Sequence, residues 1–407
     1  MSKDNKKNST KRSRSSSQGS FRRSTKEADT NSTPEKIQFK VDHIDPLGQG
    51  VSKLGDKITF IPKTLPGEEG ICEINHKKKS IQFASLKELQ TSSSDRVESE
   101  CPHFQECPSC HFLHTSYQKE LEFKFKSFQF ELKRLSFEKE YTSIGCEKRY
   151  AYRNRIQLHY NLKSKEIGYI DAKSKNIIAV KNCQIPLKII QEKIQEIYNN
   201  DFLNFPKGPA KGHLELYYDS NKNNVELAFN KPYAHLGFSQ INQEMNEKAI
   251  DQISQFIQPK LNQNTMILDL FGGQGNLSKH FISELSDHEK SSIIVVDRYR
   301  QVPKAPYLQF IDLDLFKNDS HHILQKEADI SLVDIMIIDP PRSGFKNIRD
   351  FIETFNPKYI VYMSCKVSTL ERDLQYFEDL YQFKNAIMLD FFPGSYHYEG
   401  LVFAERK

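Results

Sequence analysis

Three cysteines lie within ten residues of one another, at Cys101, Cys107 and Cys110. Thiols at this density rarely serve packing alone, and thiolates are ligands of both zinc and iron–sulfur clusters. The spacing therefore predicts a metal site and leaves zinc and an iron–sulfur cluster both open. A fourth ligand is needed, and the chain offers three further candidates: Cys72, Cys146 and Cys183.

A second set of reactive side chains follows apolar, strand-sized segments near the C-terminus. Cys365 ends one such segment, and Glu399 follows Phe392-Pro393-Gly394 after another. Asp339 ends a third, where two prolines stop the strand ladder. Open α/β sheets bind ligands at the carboxyl ends of their strands, so a thiol and a carboxylate meeting there could act as nucleophile and base. The alternative for Cys365 is a buried structural cysteine, and the alternative for Asp339 is a plain turn that ends the strand.

A glycine-rich turn, Asp-Leu-Phe-Gly-Gly-Gln-Gly-Asn, occupies positions 269–276 between a predicted strand and a predicted helix. Glycines allow a sharp turn at a helix N-terminus and close approach to a ligand. The turn fits a nucleotide or S-adenosylmethionine, and the GxGxxG dinucleotide spacing is absent. Asp297 ends the next predicted strand and could accept hydrogen bonds from ribose hydroxyls, or could cap a turn.

The elements that must position these groups divide the chain into four parts. Strands alternating with helices predict a C-terminal α/β domain with a doubly wound, Rossmann-like sheet over 238–407. Only ten residues separate Asp297 from Leu308, fewer than a parallel crossover normally needs, so the helix there should be missing or reduced to a turn. Residues 92–237 read as an α+β central domain. Short strands and regular turns over 36–91 predict a small closed barrel.

Charge separates the N-terminus from the rest. Residues 1–35 hold nine Lys and Arg against four Asp and Glu, which equals the net charge of +5 of the whole chain. This Ser-rich segment is predicted to be a disordered basic tail, which suits a polyanion such as RNA or serves only solubility. Lys77-Lys78-Lys79 lie between the last two predicted strands of the barrel. Three lysines without further evidence indicate an ordinary solvated hairpin.

Composition excludes two classes of protein. With 37% hydrophobic residues the chain can bury real cores, so a wholly disordered chain is excluded. No apolar run approaches the roughly 18 to 20 residues that cross a bilayer, so we expect no membrane span. The start of the chain has no apolar centre typical of a secretory signal, which predicts a cytoplasmic protein whose cysteines are not in disulfides.

From residue 37 onward, the motifs resemble RNA uracil-C5 methyltransferases, most closely those that methylate large-subunit ribosomal RNA. Residues 44–50, 60–62 and 65–67 resemble the family's TRAM domain, an OB-like RNA-binding barrel. The cysteine segment, with Asn182-Cys183-Gln184-Ile185-Pro186, resembles its iron–sulfur signature. Residues 238–242 resemble its Phe-x-Gln-Val-Asn motif, and 369–374 its Thr-Leu-x-Arg-Asp-Leu motif.

The resemblance implies a role for each matched residue. It implies a four-iron, four-sulfur cluster, [4Fe-4S], on four cysteines: Cys101, Cys107, Cys110 and Cys183. It leaves Cys72 and Cys146 as structural. It implies that RNA contacts come from three residues: Arg153, Arg155 and Phe238. Contacts to S-adenosylmethionine are expected from the following positions: Gln240, Phe271, Gly273, Gly275, Asn276, Asp297, Asp314 and Asp339. Cys365 falls on the family's nucleophile and Glu399 on its base.

The implied reaction begins with addition of the Cys365 thiolate to C6 of uracil, which makes C5 electron-rich enough to take a methyl group. Glu399 then removes the C5 proton. Ribosomal RNA is the expected substrate and transfer RNA the alternative, for a protein expected to be monomeric. Three positions depart from the family pattern: Lys366-Val367 after the cysteine, Gly273 in the turn, and Asp297. The alternative of a different class is a non-catalytic RNA-binding or ribosome-assembly factor. Lys366-Val367 and the short crossover after Asp297 support it, and the presence of both Cys365 and Glu399 argues against it.

Overall fold

The computed structural model describes the following residues: 35–171, 174–200, 202, 208–232, 240–262, 264–285, 293–299, 302–303 and 308–407. The predicted disorder of the tail therefore falls outside the described residues, apart from Glu35. Lys36–Lys407 form one compact unit. In the described part of the chain, every helix is too short or too polar to span a membrane.

The N-terminal strands close into a barrel in the order β1-β2-β3-β5-β4. Their bounds are β1 (Lys36–Ile44), β2 (Gln49–Ser52), β3 (Ile58–Pro62), β4 (Glu69–Lys77) and β5 (Ile81–Thr91). Alternate side chains point inward, and the small core contains Phe39, Val41, Ile61, Cys72 and Ala84. The predicted small closed barrel is confirmed.

The cysteine segment after the barrel leads into α1 (Tyr117–Leu132), and β6 (Thr142–Ile144) follows. Ser116 begins the helix as its N-cap, because its hydroxyl accepts a hydrogen bond from the Lys119 amide at 3.2 Å. The apolar face of α1 carries Phe128 and Leu132, both fully buried in the core of the C-terminal sheet.

A second, antiparallel sheet has the order β11-β10-β7-β8-β9. Its strands and its one helix are β7 (Arg155–Asn161), β8 (Glu166–Ile170), β9 (Ile177–Ala179), α2 (Lys188–Asn199), β10 (Lys211–Asp219) and β11 (Asn224–Phe229). Ile190, Ile194 and Ile197 recur at helical spacing along α2, which contacts β10 and β11, and they share one buried cluster with Leu214, Leu216 and Val225 of those strands.

The C-terminal part contains an eight-stranded sheet in the order β14-β13-β12-β15-β16-β18-β17-β6. Its elements are α3 (Gln243–Ile257), β12 (Ile267–Leu270), α4 (Ile282–Leu285), β13 (Ile293–Asp297), β14 (Leu308–Asp312), α5 (Ser320–Ala328), β15 (Ile335–Ile338), α6 (Ile348–Phe355), β16 (Tyr359–Ser364), α7 (Val367–Gln375), β17 (Tyr381–Leu389) and β18 (Glu399–Arg406). β12 to β16 run parallel, and every residue of β12 and β15 is buried because helices cover both faces.

The strands of this sheet match the predicted α/β alternation, and two details refine it. In the short connection from β13 to β14, the described residues 298–299 and 302–303 are not helical. β6 pairs in parallel with β17, so residues assigned to the central part join the C-terminal sheet. The predicted domain boundaries at residues 36, 92 and 238 stay a prediction.

Candidate active site

Strand register brings Cys365 and Glu399 to the same edge of the C-terminal sheet. β16 and β18 are antiparallel neighbours, and Ser364 pairs with Gly400. The next pair along the same register is therefore Cys365 and Glu399. Opposite residues of antiparallel strands point to the same face, so the thiol and the carboxyl group meet there. Burial raises the pKa of Cys365 to about 11, and the nearby Glu399 carboxylate contributes to the rise.

Glu399 is buried with one oxygen left unused. Its side chain is 5% exposed, and its Oε2 atom has no hydrogen-bond partner among the described residues. Burial raises the pKa of this carboxyl group well above its ordinary value, and the charge of Asp339 adds to the rise. A buried oxygen without a partner costs free energy unless a ligand satisfies it, so the carboxyl group is suited to receive a hydrogen bond or a proton from a substrate.

Arg342 is a site residue that the motifs did not single out. Its positive charge lowers the pKa of Cys365 and that of Glu399, although burial outweighs this effect at both groups. Its guanidinium lies close enough to the thiol to contribute to this lowering. The available signal was its position directly after Asp339-Pro340-Pro341, at the carboxyl edge of the sheet, where a cation can stabilise a developing thiolate.

Three carboxyl groups lie at the carboxyl ends of β12, β13 and β15: Asp269, Asp297 and Asp339. Burial raises the pKa of Asp269 and that of Asp339 to about 7, and mutual repulsion among the three adds to this. Asp269 Oδ2 accepts a hydrogen bond from the Ser278 hydroxyl at 2.5 Å, whereas its Oδ1 has no partner among the described residues. Asp269 is the second site residue that was not singled out from the sequence.

The glycine-rich turn lies beside these carboxyl groups and leaves open space. Phe271, Gly273 and Gly275 have φ angles of 60°, 57° and 71°, the left-handed conformation that glycine adopts without strain. A side chain built on Gly273 would meet nothing within 4 Å. The Gly273 amide donates to Asp297 Oδ2 at 2.9 Å. The unpartnered oxygen of Asp269 and the open space at Gly273 suit a polar ligand such as S-adenosylmethionine.

The other three predicted cofactor residues hydrogen-bond to neighbouring residues of the chain. The amide of Asn276 exchanges two hydrogen bonds with Asn246 of α3, at 2.7 and 3.2 Å. Asp314 accepts a hydrogen bond from Arg298 at 3.4 Å just after β14. The main-chain oxygen of Gln240 accepts one from Asn154 at 2.9 Å. Their contact with a cofactor stays a prediction.

The four predicted cluster cysteines line one cavity of about 390 Å³. Arg342 and His397 line the same cavity, so it extends toward the Cys365 site. In the part of the chain that the structure describes, no group of three or more His, Cys, Asp or Glu converges tightly enough to ligate one metal ion. A [4Fe-4S] cluster on these four cysteines stays a prediction.

The other cysteines have structural surroundings. All seven cysteines have free thiols. Cys72 lies in the barrel core. Cys146 accepts a hydrogen bond from the side-chain amide of Asn242 at 3.1 Å.

The predicted RNA contacts have different placements. Arg153 lines the cysteine cavity. Arg155 is 7% exposed, and its guanidinium pairs with Glu215 at 3.5 Å and lies over the ring of Tyr217. Phe238 lies outside the described residues. RNA binding by any of the three stays a prediction.

Comparison with known proteins agrees with the motifs. Residues 318–407 match the family model described as tRNA (Uracil-5-)-methyltransferase. Curated relatives named 23S rRNA (uracil(1939)-C(5))-methyltransferase RlmD come from Shewanella sediminis (28% identical) and Shewanella woodyi (26% identical). Each alignment spans 91% of this chain and 96% of the relative. The resemblance identified from the motifs is thereby confirmed.

A solved structure is similar in fold. The tRNA (uracil-54, C5)-methyltransferase of Pyrococcus abyssi, in complex with S-adenosyl-L-homocysteine, superposes with a TM-score of 0.62 at 18% identity. The superposition covers 90% of this chain and all of that one. At this identity the similarity establishes a methyltransferase fold and no residue role.

Proposed function

We propose that this chain, a relative of the RNA (uracil-C5)-methyltransferases, methylates C5 of a uridine in 23S ribosomal RNA with S-adenosylmethionine as methyl donor. The observation that carries the proposal is the register of β16 and β18, which brings Cys365, directly after β16, close to Glu399 at the start of β18. The curated relatives, matched along 91% of the chain, support ribosomal RNA as the substrate. They also support an enzyme over a non-catalytic binding factor.

The chemistry requires a nucleophile because C5 of uracil is itself a weak one. The Cys365 thiolate adds to C6, and the electron density then lies on C5. With its pKa raised to about 11, the thiol is almost fully protonated at neutral pH. Arg342 opposes this rise, and a proton acceptor must take the thiol proton as the substrate arrives.

Glu399 performs the second proton transfer. After C5 has gained its methyl group, the carboxylate removes the C5 proton and the thiolate leaves C6, which restores the double bond of the base. The raised pKa of Glu399 suits a base that must hold this proton until release. Its unpartnered Oε2 is the atom available to accept it.

S-adenosylmethionine, when bound, supplies a methyl group on a cationic sulfur. Asp269, Asp297 and Asp339, with the turn at Gly273, would hold it. The buried carboxyl groups favour a ligand that brings positive charge and hydrogen-bond donors, because the charge relieves their mutual repulsion and a donor satisfies the unused oxygen of Asp269.

We further propose that Cys101, Cys107, Cys110 and Cys183 hold a [4Fe-4S] cluster and that the barrel is a TRAM domain. The cluster proposal rests on four thiols around one cavity. A cluster there would cross-link the segment at 101–110 to the loop at Cys183. It would thereby stabilise the cavity that Arg342 also lines. A monomer in the cytoplasm remains our expectation.

The test is methyl transfer in vitro from labelled S-adenosylmethionine to 23S ribosomal RNA and to transfer RNA, each transcribed without modifications. Mass-spectrometric mapping should find 5-methyluridine in the ribosomal RNA and none after Cys365→Ala. Methylation of transfer RNA alone would replace the substrate and keep the reaction; this second candidate is favoured by the family model over residues 318–407. Activity retained by Cys365→Ala would refute the mechanism.

A further inference from the structure

Tyr299 lies on the short connection after β13 and reaches back to the glycine-rich turn. Its phenol donates a hydrogen bond to the main-chain oxygen of Gly273 at 2.7 Å. Its amide donates to Oδ1 of Asp312, the last residue of β14, at 3.2 Å. Its ring meets that of Phe310 in β14 edge-on, with the centroids 5.9 Å apart. The residue is therefore held by β14 while its hydroxyl group contacts the turn.

Both polar main-chain groups of Gly273 are engaged by residues at the end of β13. The amide donates to Oδ2 of Asp297 at 2.9 Å, and the carbonyl oxygen accepts from Tyr299. The other oxygen of Asp297, Oδ1, accepts from the amide of Arg298 at 2.6 Å. Asp297 and Tyr299, two positions apart, thus fix one glycine of the turn through its two hydrogen-bonding groups.

The turn needs such contacts to keep one conformation. Three of residues 272–275 are glycines, which have the widest conformational freedom of all residues. Gly273 has a φ angle of 57°, and a Cβ built on it would meet nothing within 4 Å, so packing around this position does not fix it. Burial and the negative charges nearby raise the pKa of Tyr299, so its phenol keeps the proton that the hydrogen bond to Gly273 requires.

We propose that Tyr299 is a positioning residue for the methyl donor, because its phenol holds the turn at Gly273 in the conformation that receives S-adenosylmethionine. Without this hydrogen bond the turn spends less time in the competent conformation, and the apparent affinity falls in proportion. Cys365 and Glu399 belong to other strands, so the chemical step should not change. The inference rests on the proposed function for the identity of the ligand.

The decisive measurement is calorimetric titration of the full-length protein with S-adenosylhomocysteine, without RNA. Tyr299→Phe removes the hydroxyl group and keeps the ring against Phe310. The Kd should rise about fivefold, which corresponds to the ~1 kcal/mol that one neutral hydrogen bond contributes. In methyl transfer, the KM for S-adenosylmethionine should rise by the same factor while kcat stays unchanged, the sign of lost binding rather than lost chemistry.

Tyr376→Phe is the matched control. Tyr376 follows α7 and is 40% exposed; α7 begins after β16 at the carboxyl edge of the sheet and runs back, so Tyr376 lies toward the opposite edge. This variant should bind S-adenosylhomocysteine as the parental protein does. Amide hydrogen exchange should become faster over 271–276 in Tyr299→Phe and stay unchanged over 359–364, since a general loss of stability would affect both segments.

Tyr299→Ala removes the ring as well as the hydroxyl group and should weaken binding further. If Tyr299→Phe binds S-adenosylhomocysteine as tightly as the parental protein, the hydrogen bond does not position the turn and the inference is refuted. If only Tyr299→Ala binds weakly, packing of the ring against Phe310 holds the turn instead, and the role of the phenol is again refuted.

The titration also separates this inference from the proposed function. If Tyr299→Phe weakens binding but the parental protein methylates no RNA, the role of Tyr299 stands and the proposed reaction fails. If the parental protein methylates RNA and Tyr299→Phe has an unchanged KM for S-adenosylmethionine, the reaction stands and the role of Tyr299 fails. A parental protein that binds no S-adenosylhomocysteine would refute both.

Discussion

The guanidinium of Arg342 lies 3.3 Å from Nε2 of His397. Burial and the charge of Arg342 lower the pKa of His397 to about 4, so the ring is neutral at pH 7 and does not repel the arginine. A neutral partner leaves the positive charge of Arg342 available to the thiol of Cys365 and the carboxyl group of Glu399, both of which have raised pKa values.

Replacing Arg342 by Gln should therefore slow alkylation of Cys365. The thiol titrates near pH 11 in the parental protein, so its reaction with iodoacetamide should rise about tenfold per pH unit between pH 7 and 10. Loss of the guanidinium raises the pKa of the thiol. For each unit by which the pKa rises, the thiolate fraction at a fixed pH falls about tenfold, and the alkylation rate falls with it. Peptide mapping by mass spectrometry isolates Cys365 from the other thiols.

Arg342→Lys provides the matched comparison, since it keeps the charge and loses the planar geometry. It should react faster than the Gln variant. If all three proteins show one pH profile, Arg342 does not influence the thiol.

Replacing Glu399 by Gln should trap the enzyme on its RNA. Addition of Cys365 to C6 and methylation of C5 can proceed, but no carboxylate removes the C5 proton, so the covalent complex accumulates. We expect turnover to fall by about 10² to 10⁴. Denaturing gel electrophoresis should show a slower, RNA-containing band that forms with ordinary uridine. A variant that turns over normally without such a band would remove Glu399 from the mechanism.

The pKa of Asp269 predicts how stability depends on pH. Burial raises this pKa from 3.8 to about 7, so the folded state holds a proton that the unfolded state releases. Below pH 4 the protonated carboxyl group makes its full contribution to the free energy of unfolding. As the pH rises toward 7 this contribution is lost, which lowers the free energy of unfolding by up to about 4 kcal/mol. Asp269→Asn cannot ionise and should gain stability relative to the parental protein between pH 4 and 7, as measured by urea unfolding.

The same substitution should weaken binding of S-adenosylmethionine, because it removes the carboxyl group beside the turn at Gly273. Asp251→Asn, on the solvent side of α3, is the control and should leave both properties unchanged. Equal pH dependence in the Asp269→Asn variant and the parental protein would show that another group causes it.

The sequence predicted the barrel and the C-terminal strands because both have strong local patterns. Cys365 and Glu399 could be paired in advance because each adjoins an apolar strand of that sheet. β6 could not be predicted, because three residues, Thr142–Ile144, carry no usable periodicity and their partner is β17, more than two hundred residues away. Lys124 has the sequence context of a solvent-exposed residue on a polar helix, and only tertiary packing buries it.

Lys63 should hold the cysteine segment in place from the barrel. Its ammonium donates to the main-chain oxygens of Phe104, Gln105 (2.8 Å) and Cys107 (3.1 Å). Lys63 also has φ of 63°, a conformation that costs a non-glycine residue about 1 kcal/mol or more and persists where surrounding contacts enforce it. Lys63→Met should make the segment more mobile, measured as faster amide hydrogen exchange over 101–110 and faster loss of any cluster absorbance to a chelator.

Lys53→Met is the matched control, since Lys53 is an exposed lysine of the same barrel. Hydrogen exchange that stays unchanged over 101–110 in the Lys63 variant would show that the segment is held by other contacts. This readout does not depend on enzymatic activity or on the presence of the cluster.

Lys124 should be required for the loop that leads to Glu399. Its side chain is 1% exposed, and its ammonium donates to Glu120 (2.6 Å), Asp390 (2.8 Å) and the main-chain oxygen of Phe392 (3.2 Å). The Gly394 amide also donates to Glu120, at 2.6 Å, so this buried network attaches α1 to residues 390–394. Lys124→Met leaves Asp390 buried without its cation, while Glu120 keeps its ion pair with Arg149 at 2.7 Å. Breaking such a buried pair typically costs about 3 to 5 kcal/mol.

Urea unfolding measures that cost, and two further variants show its origin. Lys119→Met removes a lysine of the same helix whose ion pairs are at the surface, and should cost less than about 1 kcal/mol. Lys124→Met/Asp390→Asn removes the stranded charge of Asp390, while the amide still accepts the hydrogen bond from Tyr117. It should therefore be more stable than Lys124→Met alone. If instead the double variant is the less stable of the two, the loss reflects packing of the lysine side chain, and the uncompensated carboxylate of Asp390 is not its cause.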